Sequence, residues 1–204
     1  MLIIGLTGSI GMGKSTLAGH LRARGIRVLD ADAEVHKLYA GAAVPRIEAA
    51  FPGTTADGKV DRMRLSAALA KDPSSFKRLE AIVHPLVRDA ERDFLHQAHK
   101  RGASLAVLEI PLLFETGGDR FVDITILASA PAAIQRERVL KRLDMTPEKL
   151  DLLLSRQSRD TDKRAKASFV VDTSLSLPAT FASLDTIIDG LAGRDGTAFA
   201  RHWA

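Results

Sequence analysis

Residues 8–15 read Gly-Ser-Ile-Gly-Met-Gly-Lys-Ser and follow the apolar run Leu2–Thr7 directly. A short apolar run that ends in glycine reads as a buried parallel strand. After the glycines, Lys14–Arg24 places Leu17, Ala18 and Leu21 on one helical face and stops at Gly25. Gly8 allows a sharp exit from the strand. Gly11 and Gly13 let backbone N–H groups approach anionic oxygens with no Cβ between them. The helix that starts near Lys14 aims the positive end of its dipole at the same place. Lys14 can reach the β- and γ-phosphates of a nucleotide, and the Ser15 hydroxyl can hold Mg²⁺. The spacing therefore predicts an ATP-binding phosphate loop set between a strand and a helix.

The rest of the chain extends this start into an α/β fold. Ile26–Leu29 is the second strand, with Asp30-Ala31-Asp32 at its carboxyl end. Strand, helix and strand in this order make a right-handed βαβ unit. Leu105–Ile110, Val122–Leu127 and Phe169–Asp172 are further strands, Pro131–Leu143 is a basic amphipathic helix, and a last helix covers Pro178–Leu191. Thr146 and Pro147 read as the N-cap and first residue of another helix. The expected architecture is a P-loop NTPase-type parallel sheet of about five strands flanked by helices.

Residues 33–101 are expected to be almost all helical, with breaks at Pro45, Pro52-Gly53 and Asp57-Gly58. A longer helical stretch from about Pro73 to Lys100 should bend or break near His84, because Pro85 removes a backbone donor. This crossover is far longer than a βαβ unit needs, so it must do more than connect. The tail Ala192–Ala204 has weak patterning and is expected to fray. His20, His96 and His99 lie on amphipathic helices and read as solvated.

Composition narrows the function. With no cysteine, disulfides and thiolate metal sites are excluded. No run approaches the roughly 20 apolar residues of a membrane span, and Met1–Thr7 reads as a strand rather than a leader, so a cytoplasmic protein is expected. Between Arg136 and Lys166, ten basic side chains face six acidic ones, a local excess that equals the +4 charge of the whole chain. Such a field suits a phosphate-rich small ligand. Aromatics make up 5% of the residues and do not interleave with the basic ones, which disfavours nucleic acid. The chain has no asparagine, so the Asn-Lys-x-Asp guanine reader of switch GTPases cannot exist.

The second strong feature is Asp30-Ala31-Asp32, because ligand-facing residues gather at the carboxyl ends of parallel strands. A carboxylate there can orient an acceptor hydroxyl and take its proton. Either aspartate could instead cap the next helix.

The order of motifs resembles the dephospho-coenzyme A kinase family. It is carried by Gly5–Ser15, Asp30–Asp32 with His36, Asp57-Gly58, His84-Pro85, Pro111–Glu115, Arg156-Gln157, Lys163-Arg164 and Ala167–Asp172. Many members have aspartate where this chain has Glu109, and Ser168 replaces another frequent aspartate. The resemblance implies ATP-dependent phosphorylation of the ribose 3′-hydroxyl of dephospho-coenzyme A. It implies nucleotide contacts from Gly11, Met12, Gly13, Lys14, Ser15, Thr16 and Arg138, with the metal on Ser15. Asp32, Lys14 and Arg142 would be catalytic. Asp32, His84, Leu113 and Glu115 would meet the acceptor, although His84 also reads as a turn or cap residue and Phe114 as either a pocket wall or packing.

Residues 1–32, 102–135 and 167–204 would form the nucleotide-binding core, 33–101 a helical acceptor-binding insertion and 136–166 a basic lid. The implied partners are ATP and dephospho-coenzyme A, without nucleic acid or membrane, in a monomer or weak homo-oligomer. A shikimate- or gluconate-type kinase is the alternative.

Overall fold

The computed structural model describes residues 1–72 and 74–204. β1 (Leu2–Thr7) is buried along its whole length, and α1 (Lys14–Ala23) follows the glycine loop with Leu17, Ala18 and Leu21 turned inward. β2 (Arg27–Asp30) leads into α2 (Ala31–Leu38), which Asp30 caps by accepting a hydrogen bond from the Ala33 N–H at 3.1 Å. α3 (Val44–Ala50) carries Pro45 in its first turn, where a missing N–H is harmless.

The segment expected to be almost all helical then makes, at the break expected at Asp57-Gly58, a small antiparallel hairpin, β3 (Thr55–Ala56) and β4 (Lys59–Val60). Asp57 and Gly58 turn it with positive φ at both residues. α4 (Arg62–Lys71) is capped by Asp61. The expected start of the next helix near Pro73 lies outside the described residues; α5 runs from Ser75 to Lys100.

The break expected near His84 does not occur, and α5 continues through Pro85. Proline in a helix leaves the carbonyl four residues earlier without its N–H, here that of Ala81. Ala81, His84 and Pro85 are all exposed, so water can take that carbonyl.

β5 (Leu105–Glu109) and β6 (Ile124–Ser129) come next, the latter starting two residues later than the sequence predicted. α6 (Ala132–Leu140), α7 (Pro147–Ser155) and α8 (Asp160–Lys166) carry six of the ten basic side chains between Arg136 and Lys166, and Thr146 caps α7 as expected. α8 had no clear sequence signal. β7 (Phe169–Asp172) and α9 (Leu177–Gly190) complete the elements around the sheet.

Among the described residues the main sheet has the order β2-β5-β1-β6-β7, and the β5–β1, β1–β6 and β6–β7 pairs are parallel. β2 is thus one strand removed from β1.

By contacts the chain divides into two compact units, Met1–Leu29 with Leu95–Ala204, and Asp30–Phe94. The first has a core of Leu2, Ile4 and Leu6 of β1 with Leu17, Ala18 and Leu21 of α1 and Leu184 and Ile188 of α9. Alternate β1 residues share a face, which is why the even positions meet the helices. The second has its own core around Ile47, Phe51, Leu65, Leu69 and Val83.

The tail does not fray as expected. Asp123 Oδ1 accepts the N–H groups of Thr197 and Ala198, a π-type turn covers Phe199–Trp203, and Trp203 is 1% exposed with its indole N–H on the Phe121 carbonyl at 2.8 Å. His96 and His99 are exposed, as expected, with His99 stacked on Phe199, while His20 is half-buried, stacks on Phe181 and meets Asp185 at 2.8 Å. His96 Nε2 lies 2.5 Å from the Trp203 carbonyl oxygen.

Candidate active site

The glycine loop connects the carboxyl end of β1 to the start of α1. Gly13 is the N-cap of α1, with φ 83°, and no side chain caps the helix there. The first N–H groups of α1 can therefore serve an anion. Gly11 has φ 77°, and a Cβ on it would lie 2.4 Å from Val139 Cγ2 of α6. Glycine is required there both for the backbone conformation and for the close approach of α6.

Side chains from elsewhere in the first unit hold the loop. The Ile10 N–H donates to Gln157 Oε1 at 3.2 Å, and the Ile10 carbonyl accepts from Gln135 Nε2 at 2.8 Å. The Met12 carbonyl accepts from Thr173 Oγ1 at 2.8 Å, and Met12 Sδ accepts from the Ala130 N–H at 3.1 Å. The Met12 side chain is thus part of the packing, and only its backbone remains a candidate nucleotide contact.

Beside the loop, β5 ends in Glu109, which is 0% exposed. Its register opposite Leu6 of β1 sets the carboxylate next to α1. Glu109 Oε1 accepts from Lys14 Nζ at 2.7 Å and from Ser15 Oγ at 3.1 Å, and Oε2 accepts from Arg22 Nη2 at 3.3 Å. A buried carboxylate needs cations and donors around it, and Lys14, Ser15 and Arg22 supply them to Glu109. The sequence pointed to Lys14 and Ser15 and left Glu109 open, as a carboxylate that could hold a metal-bound water. Its signal was a carboxylate closing an otherwise apolar strand.

A cleft of about 330 Å³ adjoins the loop, lined by Gly11, Gly13, Thr16 and Leu17 together with Arg138, Arg142, Thr173, Leu177 and Thr180. Arg138 is fixed there by hydrogen bonds to the Thr173 carbonyl at 2.6 Å and to Thr173 Oγ1 at 3.2 Å. Arg142 is exposed in the turn after α6. Thr173, directly after β7, carried no functional signal in the sequence, yet it ties Arg138 to the phosphate loop.

Other expected site residues lie elsewhere. Leu113 is fully buried, and its Cδ2 occupies the space where a Cβ on Gly5 would sit, 2.8 Å away. Its side chain packs in the core beside β1, and Phe114 is buried too. Glu115 is engaged by protein groups, since Oε1 accepts from the Ser158 N–H at 2.8 Å and pairs with Lys163 Nζ at 2.9 Å. Burial raises the Glu115 carboxyl, but the Lys163 ammonium and the Ser158 N–H outweigh burial and leave it below its ordinary value.

In the second unit, Asp30 is occupied as the cap of α2. Asp32 is exposed in the first turn of the same helix, two residues past β2, and His84 is exposed midway along α5.

A family profile described as Dephospho-CoA kinase matches residues 2–178. The chain is 54% identical over 192 residues to the dephospho-CoA kinase of Rhodopseudomonas palustris strain HaA2, covering 94% of this chain and 96% of that one. It is 55% identical over 194 residues to the Rhizobium etli protein of the same name, covering 95% and 96%. Among solved structures, TT1252 from Thermus thermophilus superposes with a TM-score of 0.81 at 35% identity, covering 94% of this chain and 98% of that one. The Campylobacter jejuni dephospho-CoA kinase gives a TM-score of 0.70 at 24% identity, covering 93% and 96%, and supports the fold. These matches leave the shikimate- or gluconate-type alternative without support, and the chain belongs to the dephospho-CoA kinase family.

Proposed function

We propose that the chain transfers the γ-phosphoryl group of ATP to the ribose 3′-hydroxyl of dephospho-coenzyme A, giving coenzyme A and ADP, the last step of coenzyme A synthesis. The carrying observation is the Glu109 carboxylate that gathers Lys14 and Ser15 beside the glycine loop, in a chain of this family. In the reaction the acceptor oxygen bonds to the γ-phosphorus as the bond from that phosphorus to the ADP oxygen breaks. The hydroxyl proton passes to Asp32, which also orients the hydroxyl. Its place just past the carboxyl end of β2 supports that role.

Lys14 moves from Glu109 to the β- and γ-phosphates as ATP binds, and loop N–H groups from Gly11 to Thr16 hold the phosphate oxygens. Ser15 and Glu109 are hard oxygen donors 3.1 Å apart and suit Mg²⁺, which would neutralise phosphate charge there. Residues 136–166 act as a lid, from which Arg138 and Arg142 stabilise the charge that grows during transfer. The cleft beside the loop takes the nucleoside of ATP. Residues 33–101 form the acceptor-binding insertion, with His84 as an acceptor contact. Glu115 braces the lid through Lys163 and Ser158. The setting is cytoplasmic and the protein a monomer or weak homo-oligomer.

ADP release in a single turnover, measured with dephospho-coenzyme A, adenosine, shikimate or gluconate as acceptor, tests the assignment. Stimulation by dephospho-coenzyme A above the other three is expected. Equal rates with and without it would refute the proposal.

A further inference from the structure

Ile10 stands at the tip of the phosphate loop, and two glutamine side chains occupy both of its backbone groups. Gln157 Oε1 takes the N–H at 3.2 Å and Gln135 Nε2 gives to the carbonyl at 2.8 Å. A backbone N–H can only donate and a carbonyl only accept, so each amide has one possible orientation. Gln135 lies in α6 and is 6% exposed, while Gln157 lies between α7 and α8. The chain from 135 to 157 therefore leaves Ile10 and returns to it, and that stretch contains Arg138 and Arg142 of the cleft.

α6 is already pressed on the loop by apolar packing, with Val139 against Gly11, so the two amides are not needed to hold the helix there. What they add is a fixed orientation of the backbone on either side of residue 10. Loss of the Gln157 bond frees the peptide plane before Ile10, and loss of the Gln135 bond frees the plane after it, which carries the Gly11 N–H.

We propose that Gln135 and Gln157 are positioning residues that pin Ile10 from both ends of the stretch 135–157, so that the shape of the phosphate loop and the placement of Arg138 and Arg142 are set together. The inference rests on reading residues 8–15 as the donor-phosphate site. It does not depend on which acceptor is used.

The opposite roles of the two amides supply the test. Gln157→Glu retains an acceptor for the Ile10 N–H, whereas Gln135→Glu sets a carboxylate against the Ile10 carbonyl. ADP affinity by titration calorimetry and amide exchange of Ile10 and Gly11 are read on both variants, with thermal melting to check folding. Gln135→Glu is expected to lose exchange protection in the loop and to weaken ADP roughly ten-fold. Gln157→Glu is expected to keep the Ile10 protection. Equal behaviour of the two variants, or wild-type loop protection in Gln135→Glu, would overturn the pin.

If a variant fails to fold, the wild-type protein decides: its Ile10 amide must be protected before nucleotide is added, and exchange at the free-peptide rate contradicts the proposal. Turnover of dephospho-coenzyme A by the wild type, run alongside, separates a failure of the pin from a failure of the assigned reaction.

Discussion

Lys14 Nζ lies 2.7 Å from Glu109 Oε1, so the cation proposed to meet the donor phosphates rests on a fully buried carboxylate. The same oxygen accepts from Ser15, and the other carboxylate oxygen accepts from Arg22. Lys14 and Ser15 are thus held beside the loop, and Lys14 has to leave the carboxylate if it is to reach a phosphate.

Removing the Glu109 charge should disturb both folding and nucleotide chemistry. Glu109→Ala leaves Lys14 without its buried partner and is expected to lower stability by about 3 kcal/mol. Glu109→Gln keeps hydrogen-bonding atoms at the site and should cost less. Urea unfolding checks the order, and an alanine variant as stable as the wild type contradicts it.

Gly11→Ala meets two obstacles, a φ of 77° and a Val139 methyl 2.4 Å from the new Cβ. The strain is on the order of 1–3 kcal/mol before any clash is counted. ADP binding should weaken at least ten-fold. Calorimetric titration reads it, and unchanged affinity would remove the argument from backbone geometry.

Asp32→Asn should slow turnover by a factor on the order of 10²–10⁴, the usual range for losing an acid–base group, with ATP affinity nearly unchanged. Binding and turnover are measured on the same preparation. A collapse of ATP binding would assign Asp32 to the metal and not to the acceptor.

Glu91 of α5 is 5% exposed, and burial pushes its carboxyl up to about 7 despite Arg88 nearby. Its folded pKa lies above the unfolded one, so the stability it contributes is fully present below about pH 4.5 and is lost as pH rises through about 7. Glu91→Gln should match the wild type near pH 4.5 and exceed it at alkaline pH by up to about 3 kcal/mol. Urea midpoints across this range test the sign, and a constant difference between the two proteins contradicts it.

The tail offers a prediction about stability alone. Trp203→Ala should destabilise by about 3–5 kcal/mol, the range for emptying a buried aromatic site, while ADP affinity stays within two-fold. Thermal melting and titration together check both halves. A large loss of affinity at unchanged stability contradicts the separation.

The parts legible in the sequence were those set by local patterning. β1, the glycine loop and α1 follow from an apolar run, three glycines and a helical face, and β7 was placed to the residue. Less legible were features whose cause is distant in the chain. Asp123 and Phe121 order the tail from some 75 residues away, so its weak periodicity reads as fraying. α5 passes Pro85 because solvent lies on that face, which periodicity could not assign. Glu109 and the two glutamines act on the loop from other elements, so their residue types alone carry no role. Leu113 was read by its motif, although the bare Cα of Gly5 makes it core.

The most direct measurement is product analysis after a single turnover of ATP with dephospho-coenzyme A, using mass spectrometry and phosphorus NMR. The account predicts stoichiometric ADP and one new phosphomonoester on the ribose 3′-oxygen. ADP formed with free inorganic phosphate and an unmodified acceptor would contradict it.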